Sequence, residues 1–188
     1  MLRKLVIVTT TTLLALVALP ASADSGAIHD VRGDTVNAPA PKAGYDIVRA
    51  GWGHAKGGRL RHWVVAAGTV GHPRTGMGSL PDLYINVPGQ VADNPTCDYF
   101  LQEVPPGVGA NTTSHWKYYV FPCSNNSPQA IAPVAATRPT GHRIQLVFGR
   151  HAIGSPAHYG WAMAFPSDGD NPPIDRAPDA GFKRHVLH

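Results

Sequence analysis

The chain of 188 residues carries 16 Lys and Arg against 12 Asp and Glu, for a formal net charge of +4. Its ten His add positive charge only below about pH 6.5. Charged residues make up 15%, well under the ~25% usual in soluble domains, while Gly (20) and Pro (18) are abundant. This balance excludes a strongly basic nucleic-acid binder and a long-helix protein, and it favours a turn-rich all-β chain.

The first 23 residues have the pattern of a cleavable secretory signal. Arg3 and Lys4 precede an apolar run from Leu5 to Val8 and from Leu13 to Leu19, Pro20 breaks it, and Ala21-Ser22-Ala23 offers a small-residue cleavage site. The run is short for a bilayer, which takes ~20 predominantly apolar residues. The expectation is therefore a secreted, extracellular chain beginning at Asp24, with no membrane span after cleavage. Removing two bases and no acid lowers the charge from +4 to +2. About 165 residues remain, enough for one domain.

Residues 24–44 include Asn37-Ala38-Pro39-Ala40-Pro41 and little apolar content, the composition of a flexible leader or a loosely attached first strand. Arg32-Gly33-Asp34 is a tripeptide that matches by chance and is given no role. From Tyr45 the pattern turns strand-like. Asp46–Trp52 predicts a strand, Lys56-Gly57-Gly58 a turn, and Leu60–Val70 the return strand. Leu83–Val87 follows. Cys97–Val104 and His115–Phe121 flank the turn-rich stretch Pro105–Asn111, so a hairpin folded near residue 110 would bring Cys97 and Cys123 together as a disulfide at its open end. Ile144, Leu146 and Phe148 alternate with Arg143, Gln145 and Val147; Tyr159, Trp161, Met163 and Phe165 alternate with Gly160, Ala162 and Ala164. The tail from Asp168 to His188 reads as irregular. The fold expectation is one all-β domain over residues 45–188, an antiparallel β-sandwich of jelly-roll type.

Three stretches, YDIVRAGW with RLRHWVVAAGTV, PDLYINV with CDYFL, and GHRIQLVFGRHAIGSPAHYGWAMAF with DRAPDAGF, together resemble secreted β-sandwich domains of the DOMON and family-nine carbohydrate-binding-module group. The resemblance implies that fold and a carbohydrate ligand. The chain departs from the group at Asn86-Val87-Pro88-Gly89, which has no carboxylate where such domains carry acidic residues near calcium, and Met77, Met163 and the histidines form no recognisable haem pair.

Candidate sites follow from side-chain chemistry. An indole face stacks on a sugar ring, and of the four tryptophans Trp52 and Trp116 are the expected exposed platforms. Trp161 falls on an apolar, core-like face, and Trp63 shares a face with Val65 and Ala67. His54, Arg59, Arg61 and His62 surround the first hairpin, and His142, Arg143, Arg150 and His151 bracket a later strand. If those strands are neighbours, Arg61, His62 and Arg143 belong to a basic face suited to an acidic glycan or phosphate. Asp168, Asp170 and Asp175, with Asp179, supply hard oxygens close together, as calcium requires, although a Pro-rich loop also uses Asp for turns in solvent. No catalytic set is recognised: HExxH is absent and Ser79 and Ser155 lie outside G-x-S-x-G. The expected function is a non-catalytic exported binding module with a glycan or cell-envelope ligand, no nucleic-acid partner and no cofactor other than calcium. The alternatives are a small secreted hydrolase using His and Asp, or an envelope interaction or inhibitor protein that binds through the loop Pro105–Ser114.

Overall fold

The computed structural model describes residues 25–71, 80–89, 97–123, 129–166 and 173–187. The signal-like segment, Met77, Ser79, Asp168 and Asp170 lie outside the described residues. Among the described residues eleven strands form: β1 (Gly26–His29), β2 (Ile47–Ala55), β3 (Arg59–Ala66), β4 (Asp82–Asn86), β5 (Tyr99–Val104), β6 (Lys117–Pro122), β7 (Ala132–Thr140), β8 (Arg143–Phe148), β9 (His158–Phe165), β10 (Asp175–Ala177) and β11 (Lys183–Val186). Two short 3₁₀ turns, Lys42–Gly44 and Arg150–Ile153, are the only other regular elements among the described residues. None of the described helices is long and apolar enough to cross a membrane.

The all-β antiparallel expectation holds. The strands run in the order β1-β2-β3-β8-β7-β6-β5-β4-β9-β10, with β11 also paired to β9, and every pairing is antiparallel. The layers are halves of one sheet. Residues Ala132 to Val134 of β7 pair with β6, and residues from Ala135 onward pair with β8, so β7 carries the sheet from one half to the other. At the opposite side the sheet nearly closes into a barrel. There the Val36 N–H donates to the Ile174 carbonyl at 2.7 Å, and the Ile47 N–H donates to the Asp175 carboxylate.

Alternation explains the core. Leu60, His62, Val64 and Ala66 of β3 point inward, as do Ile144, Leu146 and Phe148 of β8 and Tyr159, Trp161, Met163 and Phe165 of β9. Apart from His62, these residues and their counterparts on β2, β4 and β5 form one hydrophobic cluster. Burying an aromatic or branched side chain fully contributes about 1.5–3 kcal/mol, so this cluster is the main source of cohesion. The β5–β6 hairpin pairs Tyr99 with Pro122 and Val104 with Lys117, and Cys97 and Cys123 are joined at its open end with Cα atoms 5.7 Å apart.

Of the two readings of residues 24–44, a flexible leader or a loosely attached first strand, Gly26–His29 follows the second and forms β1 against β2. The stretch read as an irregular tail differs from its reading and supplies β10 and β11. Strands of three or four residues are too short to display a period of two. The strand β7 also escaped notice because Pro133 and Pro139 interrupt it. Proline is tolerated at edges and bulges, and a register shift between Thr137 and Thr140 spans Pro139.

Candidate functional site

The outer face of β2, β3 and β8 is built by register. Arg49, Val65 and Arg143 lie in one row across the three strands; Gly51, Trp63 and Gln145 in the next; Gly53, Arg61 and Val147 in the third. The Trp63 indole lies over Gly51, where an added Cβ would meet Trp63 Cζ2 at 2.3 Å. Only glycine leaves room for it. The guanidinium carbons of Arg143 and Arg49 lie 4.6 and 5.3 Å from the Trp63 ring centroid, within cation–π range. Partial burial, then the charges of Arg61 and Arg49, push the Arg143 guanidinium below its ordinary value. The Nε atoms of Arg61 and Arg143 are shielded and make no hydrogen bond. No carboxylate pairs with any of these three arginines among the described residues. Two cations therefore stack on one half-buried indole and Arg61 adds its charge to theirs, so an anion placed there would relieve their mutual repulsion.

This face continues into a groove of about 510 Å³ lined by Arg59, Trp116, Lys117, Ala135 and Val147 among others. Val147 is the cross-strand neighbour of Arg61, so the groove starts beside the arginine cluster. Trp116 is half-buried and lines both this groove and a cavity of about 160 Å³ behind it, which Glu103, Tyr118 and Arg138 also line. The opening lies where β7 leaves β6 to join β8.

The sequence-predicted residues thus divide. Arg61 and Arg143 come together on neighbouring strands, and Trp116 stands at the adjoining groove. Trp52 and His62 do not join them. Trp52 is only 8% exposed, lies against Gly26 of β1 and packs on Trp161 with ring centroids 5.5 Å apart. Its neighbours Gly51 and Gly53 hid the phase of the strand, because glycine marks neither face. His62 is fully buried; residues 61 and 62 of one strand must point to opposite faces. Arg49 and Gln145 were missed, and so was the seating of Trp63. The signal that would have found them is the β2–β3–β8 register, which a single strand does not reveal.

Inside, the Tyr159 hydroxyl bridges His62 Nε2 at 2.7 Å and His185 Nδ1 at 2.8 Å, donating to one ring and accepting the N–H of the other. All three are buried, and burial, then the charge of His185, holds His62 well below the usual histidine range. Asp82 and Glu103 are buried on the neighbouring strands β4 and β5. Burial, then the Glu103 charge, pushes Asp82 well above the carboxylate range. Neither Asp82 nor the His62–Tyr159–His185 set lines the Trp116 groove.

In the loop Pro105–Ser114, Asn111 is fully buried and knots the backbone. Its Nδ2 donates to the carbonyls of Val104, Pro105 and His115, and its Oδ1 accepts from the Thr113 N–H and hydroxyl. Asp175 opens β10 and is buried, with its carboxylate accepting the N–H groups of Ile47 and Arg176.

No family model, curated protein or solved structure matches the chain. What the site does has to be argued from its own geometry.

Proposed function

We propose that the chain is an exported, non-catalytic binding module for an acidic carbohydrate or another anionic polymer of the cell envelope, held on the outer face of β2, β3 and β8. The observation that carries this reading is the stacking of Arg49 and Arg143 on Trp63, with Arg61 charging the same face and no carboxylate paired to them among the described residues. Planar guanidinium groups take carboxylate, sulfate or phosphate oxygens two at a time, and an indole supplies an apolar face for a sugar ring. The Trp116 groove extends the surface beyond one sugar, which suits a polymer. The likeness of three stretches to DOMON and family-nine carbohydrate-binding modules supports the ligand class. The N-terminal pattern and the Cys97–Cys123 disulfide support export, since disulfides persist in oxidising compartments.

Polygalacturonate, a sulfated polysaccharide and a poly(glycerol phosphate), set against a neutral glucan, test this by affinity electrophoresis or calorimetry. The acidic polymers bind, more weakly at higher salt, and the Arg61→Ala/Arg143→Ala double variant loses at least about tenfold in affinity, equivalent to about 1.4 kcal/mol. Equal retention of the neutral glucan, or full affinity in the double variant, overturns the reading.

A further inference from the structure

The side of the barrel where the two ends of the sheet meet holds five aspartates. Asp30 follows β1, Asp34 lies in the loop before β2, Asp46 immediately precedes β2, Asp175 opens β10 and Asp179 follows it. Carboxylate oxygens of Asp34, Asp46 and Asp175 lie within 4.8 Å of one another, and so do those of Asp30, Asp34 and Asp179. Asp34 belongs to both groups.

The backbone fixes this arrangement. The Gly33 N–H donates to Asp46 Oδ2 at 3.0 Å, the Ala67 N–H donates to the Asp46 carbonyl at 2.7 Å, and the Val36 N–H donates to the Ile174 carbonyl across the seam. A second observation points to a ligand. Asp46, one of whose carboxylate oxygens lies within 4.8 Å of those of Asp34 and Asp175, is 6% exposed, yet its Oδ1 is buried and accepts no hydrogen bond. A buried carboxylate oxygen with nothing to satisfy it is costly unless a cation faces it. Arg176, which feels the charge of Asp179, does not do so: its guanidinium donates to the carbonyls of Pro178 and Gly181 and lies over the Phe182 ring.

We propose that Asp34, Asp46 and Asp175 bind a calcium ion that ties the loop before β2 to β10 and closes the barrel seam, with Asp30 and Asp179 as a second carboxylate pair beside Asp34. The spacing fits. Calcium holds oxygens at about 2.3–2.6 Å, so ligands on opposite sides of the ion stand about 5 Å apart. The hydrogen bonds already made by Asp46 Oδ2 and Asp175 leave further lone pairs for coordination. The ligands come from separate segments of chain and two are carboxylates held by backbone N–H groups. That suits the irregular, six-to-eight-oxygen shell of calcium better than the strict octahedron of magnesium, which keeps several of its waters.

The test is a calorimetric titration of the EDTA-stripped full chain with CaCl2 at neutral pH, with the melting temperature followed in parallel. Saturable calcium binding and a rise in melting temperature are expected, with MgCl2 weaker by at least about tenfold. Asp34→Asn changes an exposed residue and leaves folding intact, which circular dichroism confirms; it weakens calcium binding at least about tenfold. Asp46→Asn abolishes it. Arg61→Ala leaves the titration unchanged, so this site and the polymer-binding face stand or fall separately. Absence of saturable binding and of any melting shift up to about 10 mM calcium, the weakest range of extracellular calcium modules, overturns the proposal. So does parent-like affinity in both aspartate variants.

Discussion

Trp52 and Trp63 sit one cross-strand step apart, since Trp52 pairs with His62 and Gly51 with Trp63. Each lies flat on a glycine of the adjoining strand: Trp52 on Gly26, Trp63 on Gly51. Their surroundings differ. The inner indole packs on Trp161 and His185, with the Lys183 ammonium 5.9 Å from its ring centroid; the outer one meets only the guanidinium groups of Arg49 and Arg143 among the described ring and cation contacts. The same side chain on the same kind of seat becomes cohesion on one face and a binding surface on the other. What decides is the phase of the strand and not the residue type. Substitutions at the inner position should therefore change stability, and those at the outer position should change binding.

The largest effect is expected for Trp52→Ala. Truncating a buried tryptophan costs about 3–5 kcal/mol, read as a lower denaturation midpoint in urea. Trp63→Ala in the same measurement should cost a small fraction of that. Equal losses at both positions would end the contrast between the faces.

Next comes Tyr159→Phe, which removes the hydroxyl that bonds both His62 and His185. Loss of a buried hydrogen-bonding partner costs about 1–3 kcal/mol. Affinity for acidic polymers is expected to stay at the parent value, because Tyr159 lies wholly inside.

The inner face also sets a pH dependence. His62 is held neutral, well below its ordinary 6.5, by burial and then by His185, while Tyr159 and the neighbouring Phe148 and Trp161 rings offer it no charge. In the unfolded chain His62 takes up a proton as pH falls below about 6.5 and in the folded chain it does not, so its contribution is full above that pH and is lost below it, at up to about 1.4 kcal/mol per pH unit. Asp30 and Asp175, raised by burial, act in the opposite sense: their contribution is full at low pH and is lost as pH rises towards 7 and 6 respectively. The parent's curve mixes these terms. Subtracting the curve of His62→Gln, which keeps both carboxyls, isolates the histidine. The difference should be flat above about pH 6.5 and should change below it. A difference curve that is flat throughout would mean that His62 is not held neutral.

The sequence made the long strands legible because alternation over six or more residues leaves few choices of face, and it made the Cys97–Cys123 hairpin legible because the turn residues lie midway between the cysteines. It left β10 and β11 hidden, being too short to show a period, and β7 hidden behind two prolines. At the site, Arg61 and Arg143 were legible as outward residues of strands that turned out to be neighbours. Trp52 and His62 were placed on the wrong face: Trp52 stands between two glycines, and His62 was grouped with Arg61 by nearness in sequence and not by the strand's period. The +2 balance of the chain without its signal-like segment also concealed a segregation of charge. Arginines gather on the outer face of β3 and β8, and aspartates at the seam by β10.

The smallest effect on stability, and the sharpest on the outer face, is expected for Trp63→Leu. Gly51 itself is no place for the test, because an added Cβ there would meet the Gly26 carbonyl at 2.6 Å as well as the indole and would disturb the β1–β2 backbone. Trp63 is half-buried, and leucine keeps part of its apolar cover over Gly51. The net change in stability should lie within about 1 kcal/mol of zero. Binding should not share that tolerance. Arg49 and Arg143 lie over the indole, and losing the ring removes both their common seat and the apolar face for the sugar. Affinity for polygalacturonate should fall by about tenfold while the melting temperature barely moves. Unchanged affinity would show that the arginines bind without the indole and would reduce the surface to a simple patch of charge. A large fall in melting temperature would show that Trp63 is bound into the fold as firmly as Trp52.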